Sequence, residues 1–261
     1  MKKTILISND DGFHAAGIAA LRRALAGLGR LVIVAPAAEQ SGTGHAITVA
    51  NPLKVQKQKL DGRHAGYSVN GTPADCVKIA TSVLLGRLPQ MVVSGINLGA
   101  NVGISVVYSG TVAAAAEGAI LEVPSMAVSL DASANPRWDT AAHVARKLAD
   151  QLLRKGLPRA TMLNVNVPNL PPKKIKGMKL TRVGRSRFAE IFHRRVMPRG
   201  GNYYWLDGEL EPLQDIGRPR PAGVETDIEA VRNGFVSVTP ISFDLTDQGA
   251  LAELKSWDLA L

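Results

Sequence analysis

The stretch Lys3-Thr4-Ile5-Leu6-Ile7-Ser8-Asn9-Asp10-Asp11-Gly12 decides the fold class. Residues 3–8 are apolar or β-branched almost without a break, the pattern of a strand buried on both faces. The run is interrupted by an amide, two acids and a glycine. Ile18, Leu21, Leu25 and Leu28 then fall at helical spacing, and Gly29 is read as the stop. A second buried strand spans 31–35 and ends at Pro36. Working outward, further strands are read at 46–50, 91–94, 125–130 and 162–167. Helices are read at 73–85, 111–121 and 140–153. Strands separated by helices imply a parallel sheet with helices on both faces, an α/β fold.

The rhythm breaks after Pro168. Pro171-Pro172 opens a basic block, and Arg199-Gly200-Gly201-Asn202 is a turn between extended runs at 188–196 and 203–207, read as a protruding β-hairpin. An isolated hairpin is marginal, so its Phe188, Ile191, Phe192, Tyr203, Tyr204 and Trp205 are expected to pack on a second subunit. The chain returns with a helix at 226–231, a strand at 234–240, and a last helix capped by Thr246-Asp247. The 261 residues are therefore read as one α/β domain, with 171–225 as an oligomerisation excursion.

The formal net charge is +9, and residues 171–200 carry all of it, with ten bases against the single acid Glu190. Residues 201–261 hold four bases and eleven acids. Juxtaposed blocks of opposite sign suit packing between segments or subunits as well as they suit a polyanion, so a dedicated nucleic-acid partner is not expected. No apolar run reaches membrane-spanning length, and Ile5-Leu6-Ile7 is too short for a signal segment. A lone Cys76 excludes an internal disulfide and a cysteine-based zinc site. The expected location is the cytoplasm.

In open α/β sheets ligands bind at the carboxyl ends of the strands. Three polar loops fall there: Asn9-Asp10-Asp11-Gly12, Glu39-Gln40-Ser41-Gly42, and Ser94-Gly95-Ile96-Asn97-Leu98-Gly99-Ala100-Asn101. Adjacent carboxylates repel, and a divalent cation relieves the repulsion. The donors on offer (Asp10, Asp11, Ser41 and Asn97) are hard oxygens, suited to Mg²⁺ or Mn²⁺. A turn with one acid capping the next helix reads the same residues without a metal. Tyr108-Ser109-Gly110-Thr111 precedes a helix, so its backbone N–H groups can receive phosphate or simply be capped by Ser109. The glycines at 95, 99 and 103 do not form the dinucleotide fingerprint, and no phosphate loop with a lysine is present. Among the histidines, His14 and His45 lie in loops near the site.

Together these segments resemble the SurE (survival protein E) family of metal-dependent 5′-nucleotidases. Gly71-Thr72-Pro73-Ala74-Asp75-Cys76, Pro198-Arg199-Gly200, Tyr203-Tyr204-Trp205 and Val236-Ser237-Val238-Thr239-Pro240 extend the likeness along nearly the whole chain. Met197 departs from it, standing where the family usually has an acid. The resemblance implies a Rossmann-like three-layer sandwich and a C-terminal hairpin exchanged between subunits, in homodimers or homotetramers. It also implies hydrolysis of nucleoside 5′-monophosphates by water activated on one divalent cation per subunit, with side activity on 3′-nucleotides and short polyphosphate. Asp10, Asp11, Ser41 and Asn97 match the family's metal ligands. Asn101, Ser109, Gly110 and Thr111 are the expected phosphate contacts. Either Asp10 or Asp11 could orient the water, and His14 is the first guess for the proton donor.

Overall fold

The structure is a computed structural model that describes residues 3–60, 63–213 and 223–258. The chain opens with β1 (Thr4–Ser8), α1 (Ala16–Leu25) and β2 (Arg30–Pro36), followed by β3 (Val55–Leu60) and β4 (Arg63–Val69). Helix α2 (Pro73–Ile79) continues as a wide turn over Ala80–Leu84. Then come β5 (Met91–Leu98), α3 (Ser105–Tyr108), α4 (Gly110–Ile120), β6 (Ser125–Asp131), α5 (Trp138–Lys155) and β7 (Thr161–Pro168). A short β8 (Met178–Leu180) precedes the long strands β9 (Ser186–Val196) and β10 (Asn202–Pro212). The described chain ends with α6 (Asp227–Arg232), β11 (Val236–Ser242) and α7 (Gln248–Leu254).

Nine of these strands form one sheet in the order β3-β4-β2-β1-β5-β6-β7-β11-β8. The run from β4 to β7 is parallel throughout, while β3 and β11 run antiparallel to their neighbours β4 and β7. Both faces are covered, and β1 shows why its sequence lacks alternation. Ile5 and Ile7 pack with Leu21, Leu25, Ala141 and Ala145 of α1 and α5, whereas Leu6 packs with Cys76, Val77 and Ala114 of α2 and α4. All three β1 side chains are fully buried. Each contributes ~1.5–3 kcal/mol of transfer free energy, so a polar residue within the run is excluded. The expected mostly parallel α/β sheet with helices on both sides is what the structure shows.

Several boundaries differ from the sequence reading. Residues 46–50 form no strand. That edge of the sheet is instead made by β3, paired with β4, and the polar run Gln56-Lys57-Gln58-Lys59 of β3 carries no apolar signal. Helix α1 ends at Leu25, four residues before Gly29, because the chain leaves helical geometry at Ala26 and turns at Gly27 (φ +86°). Strand β5 runs four residues past Ser94, with a register shift between Gly95 and Asn97. Gly95 has φ +125° there, and a Cβ would lie 2.2 Å from the Val128 carbonyl oxygen, so only glycine fits.

Strands β9 and β10 form a separate antiparallel sheet, longer than expected, closed by Gly200 N–H to Met197 O and Met197 N–H to Gly201 O, each at 3.0 Å. Residues 214–222 of the expected 171–225 excursion lie outside the described residues.

Candidate active site

Strand β1 has β2 on one side and β5 on the other, and the chain visits them in that sequence. The strand order therefore reverses at β1, and the crevice beyond the carboxyl ends of β1 and β5 is the place where open α/β sheets hold ligands. Asp10 lies at the tip of β1 with its side chain buried. The Thr111 backbone N–H donates to its Oδ2 at 3.1 Å, and the Thr111 hydroxyl donates to its Oδ1. The Gln40 N–H donates to the Asp10 carbonyl at 2.8 Å, tying the loop after β2 to the loop after β1. Asn9 closes its own turn by donating from Nδ2 to Gly12 O at 2.9 Å.

The third loop is held as firmly. Asn101 donates its backbone N–H to Asn166 Oδ1 (2.8 Å), and its carbonyl accepts from Asn164 Nδ2 (2.8 Å) and Asn166 Nδ2 (3.1 Å). Its side chain bonds Ser129 Oγ at 2.8 Å, which leaves the other amide atom for the crevice. Further on, the fully buried Asp227 accepts from the N–H groups of Gly103 (3.0 Å) and Gly184 (2.8 Å). Ser186 Oγ accepts from Ile104 N–H at 2.8 Å. One carboxylate and one hydroxyl thus fasten the root of the hairpin to the loop after β5.

A cavity of about 490 Å³ opens between these loops. Asp10, Ser41, Asn97, Asn101 and Ser109 give it polar lining, Leu98, Tyr108, Phe188 and Leu206 bring apolar surface, and Glu190 also lines it. Ser41 is exposed and donates to Glu39 Oε1 at 2.6 Å, while Asn97 Nδ2 donates to Gly99 O at 2.8 Å and keeps Oδ1 free to accept. Asp11 stands beside the cavity, half-buried, and takes a backbone hydrogen bond from Leu98.

Burial raises the Asp10 carboxyl above its ordinary range despite the bonds from Thr111. Burial and the Asp10 charge push Asp11 up to about 6. Two adjacent acids that resist ionising make a site that gains from a nearby positive charge. Among the described residues no group of three or more His, Cys, Asp or Glu is placed to hold a metal. A cation here would draw on the two carboxylates and on neutral hydroxyl and amide oxygens, a donor set that fits a hard ion such as Mg²⁺ or Mn²⁺.

Ser109 is the N-cap of α4 and accepts from Val112 N–H at 3.1 Å. The first-turn N–H groups of Thr111 and Val112 are thus engaged inside the protein, by Asp10 and Ser109. Gly110 packs directly on Asp10, since a Cβ would sit 2.9 Å from the Asp10 Cβ. His14 is exposed, stacked edge-on against Phe13 with ring centroids 5.1 Å apart, and does not line the cavity. His45 bonds Glu117 through Nε2 at 2.8 Å.

The sequence reading missed the contributions of Phe188, Glu190 and Leu206, because which hairpin face meets the crevice depends on tertiary packing. It also missed Asn164 and Asn166. Two amides at i and i+2 in a buried strand lie on one face and must have partners, which is the clue that could have found them.

Fold and crevice define an α/β protein of the doubly wound, Rossmann-like class, with an oxygen-donor site at its switch point. Residues 5–190 match the family model described as "Survival protein SurE". The protein named 5′-nucleotidase SurE from Heliobacterium modesticaldum is 47% identical over 254 residues, covering 97% of this chain and 91% of that one. Its namesake from Syntrophus aciditrophicus is 48% identical over 251 residues, covering 96% and 92%. The crystal structure of the SurE protein from Aquifex aeolicus superposes with a TM-score of 0.79 at 43% identity, covering 97% of this chain and 98% of that one. The chain belongs to the SurE family.

Proposed function

We propose that the chain is a 5′-nucleotidase, a phosphoric monoester hydrolase that converts nucleoside 5′-monophosphates to nucleoside and phosphate. The observation that carries this reading is the buried Asp10 at the switch point, facing a cavity of nucleotide size in a chain so close to proteins named 5′-nucleotidase. Asp10, Asp11, Ser41 and Asn97 would hold one divalent cation, Mg²⁺ or Mn²⁺. When bound, that ion supplies Lewis-acid stabilisation of the phosphoryl oxygens and a lowered pKa for the attacking water.

The chain's own residues do the positioning. Thr111 fixes the Asp10 carboxylate through two hydrogen bonds, so its orientation is set before substrate arrives. Asp10 or Asp11 orients the water and takes its proton. Asn101 and Ser109 form the wall nearest the transferred phosphoryl group, while Gly110 and Thr111, the other two expected phosphate contacts, pack behind Asp10 and act through it. The Tyr108 and Phe188 side bears the nucleoside. The proton donor to the leaving alkoxide is unassigned, and His14 could serve only by approaching from outside the cavity.

Phosphate release from AMP or GMP with Mn²⁺ or Mg²⁺ tests the reading directly. Asp10→Asn should abolish release while the folded state persists. Full activity in that variant would place the site elsewhere. Action on 3′-nucleotides and short polyphosphate belongs to the same proposal.

The reading extends to assembly and place. Phe192, Tyr204 and Trp205 are 60%, 57% and 66% exposed on the hairpin, a burden an isolated chain would not carry without a partner. Exchange of residues 171–225 between subunits of a homodimer or homotetramer, from one α/β unit spanning 1–261, accounts for them. Among the described residues no helix is long and apolar enough to cross a membrane. We place the enzyme in the cytoplasm.

A further inference from the structure

Glu190 is the single acid within thirty residues that hold ten bases. Two of those bases pair with other acids: Arg187 with Glu211 at 2.9 Å and Lys179 with Glu225 at 2.6 Å. Among the described residues Glu190 itself has no ion pair or hydrogen bond. The hairpin register explains part of this. Opposite Glu190 stands Gly208, which offers no side chain, and a Cβ there would lie 2.2 Å from the Ala189 carbonyl oxygen. Glu190 shares its face of the hairpin with Phe188, two residues before it, and with Leu206, and all three line the cavity.

The cavity is therefore lined by two elements of different character. The loops after β1 and β5 supply Asp10, Asn97 and Ser109; the hairpin supplies a lone carboxylate flanked on its own face by an aromatic and an aliphatic side chain. An ionised carboxylate is an acceptor only, and it repels phosphate. It can serve a bound nucleotide in one way, by taking N–H or O–H donors from the part of the molecule that carries no phosphate. We propose that Glu190 is a specificity-determining residue that accepts hydrogen bonds from the nucleoside moiety and turns the phosphate toward Asp10. This inference rests on the nucleotidase reading. The donor chemistry has two sources, the ribose hydroxyls and the N–H edge of a purine.

The test compares wild type with Glu190→Gln on GMP, 2′-deoxy-GMP, AMP and p-nitrophenyl phosphate, the last lacking both sugar and base. A hydrogen bond to a charged group is worth enough that kcat/KM for GMP, relative to p-nitrophenyl phosphate, should fall by ~10-fold or more, chiefly through KM. Glu190→Asp should recover part of the loss. A fall for GMP and AMP but not 2′-deoxy-GMP assigns the 2′-hydroxyl. A fall for both guanine nucleotides but not AMP assigns the guanine edge, and an equal fall for all three assigns the 3′-hydroxyl they share. An unchanged ratio, or an equal fall on p-nitrophenyl phosphate, overturns the inference. Wild type that hydrolyses no nucleotide with either metal overturns the nucleotidase reading instead.

Discussion

Thr111 gives both its backbone N–H and its hydroxyl to the carboxylate of Asp10, 101 positions earlier in the chain. The first turn of α4 and the tip of β1 are thereby one unit, and helix and acid cannot move independently. A buried acid held this way is oriented at little further entropic cost when a ligand arrives.

Thr111→Val keeps the shape and the backbone bond but removes the hydroxyl. Loss of such an orienting partner lowers metal affinity by ~10–100-fold. Titrating Mn²⁺ against phosphate release should show a rightward shift of that size, with activity largely regained at saturating metal. An unshifted titration would mean that Asp10 is not a ligand.

Gly110→Ala tests the same joint sterically. The added methyl would meet Asp10 Cβ at 2.9 Å and Pro73 Cγ at 2.9 Å, and both residues are buried. Overpacking of this kind costs ~1–3 kcal/mol. Activity should fall further than the loss in thermal midpoint explains, because the displaced group is the proposed metal ligand.

The pH dependence of stability follows from the two raised acids. Asp11 is pushed up to about 6 and Asp10 is also raised, so the folded chain binds more protons than the unfolded one as pH climbs from ~4 toward 6. Their contribution is present at low pH and is lost as pH rises through their folded values. Added Mg²⁺ or Mn²⁺ should therefore raise the thermal midpoint more at pH 7.5 than at pH 5. Asp11→Asn should flatten that difference, and an equal metal effect at both values would contradict the assignment.

Glu117 behaves oppositely. It is buried, and although burial opposes its ionisation, bonds from His45 (2.8 Å) and Lys78 (3.0 Å) hold it below the ordinary carboxylate range. Its contribution is present above the unfolded value and fades as pH falls through the lower folded one. With Lys78 about half-exposed, solvent screens that pair, and Glu117→Gln should cost only about 1 kcal/mol at pH 7. Denaturant titrations at pH 7 and pH 3 should show the gap between variant and wild type closing in acid.

If the hairpin is exchanged between subunits, Phe192→Asp and Tyr204→Asp together should reduce the mass in solution to that of one chain. Sedimentation measures this directly. An unchanged mass would move the subunit contact away from the hairpin.

The sheet and the three loops at its carboxyl edge were readable because buried parallel strands leave unbroken apolar runs, as at Ile5-Leu6-Ile7, and polar residues stand out where they end. The partners of those loops were not readable. That Asp227 would fasten Gly103 to Gly184, or that Glu190 would line the same cavity as Asp10, depends on which distant segments the fold brings together. The edge strand β3 escaped for a different reason, since Gln56-Lys57-Gln58-Lys59 is polar at every position and carries no hydrophobic pattern. The role of Thr111 lay between these cases: its place at a helix start was evident, but its choice of Asp10 over a phosphate was not.

The knot at Asp227 has a practical corollary for anyone altering this molecule. Extra residues spliced between Arg199 and Gly201, at the far end of the arm, would leave the cavity wall where it is. A single residue spliced between Gly184 and Ser186 would shift Phe188 and Glu190 along the cleft and turn the arm's inward side out, so engineering tolerance here is set by distance from the arm's base rather than by exposure.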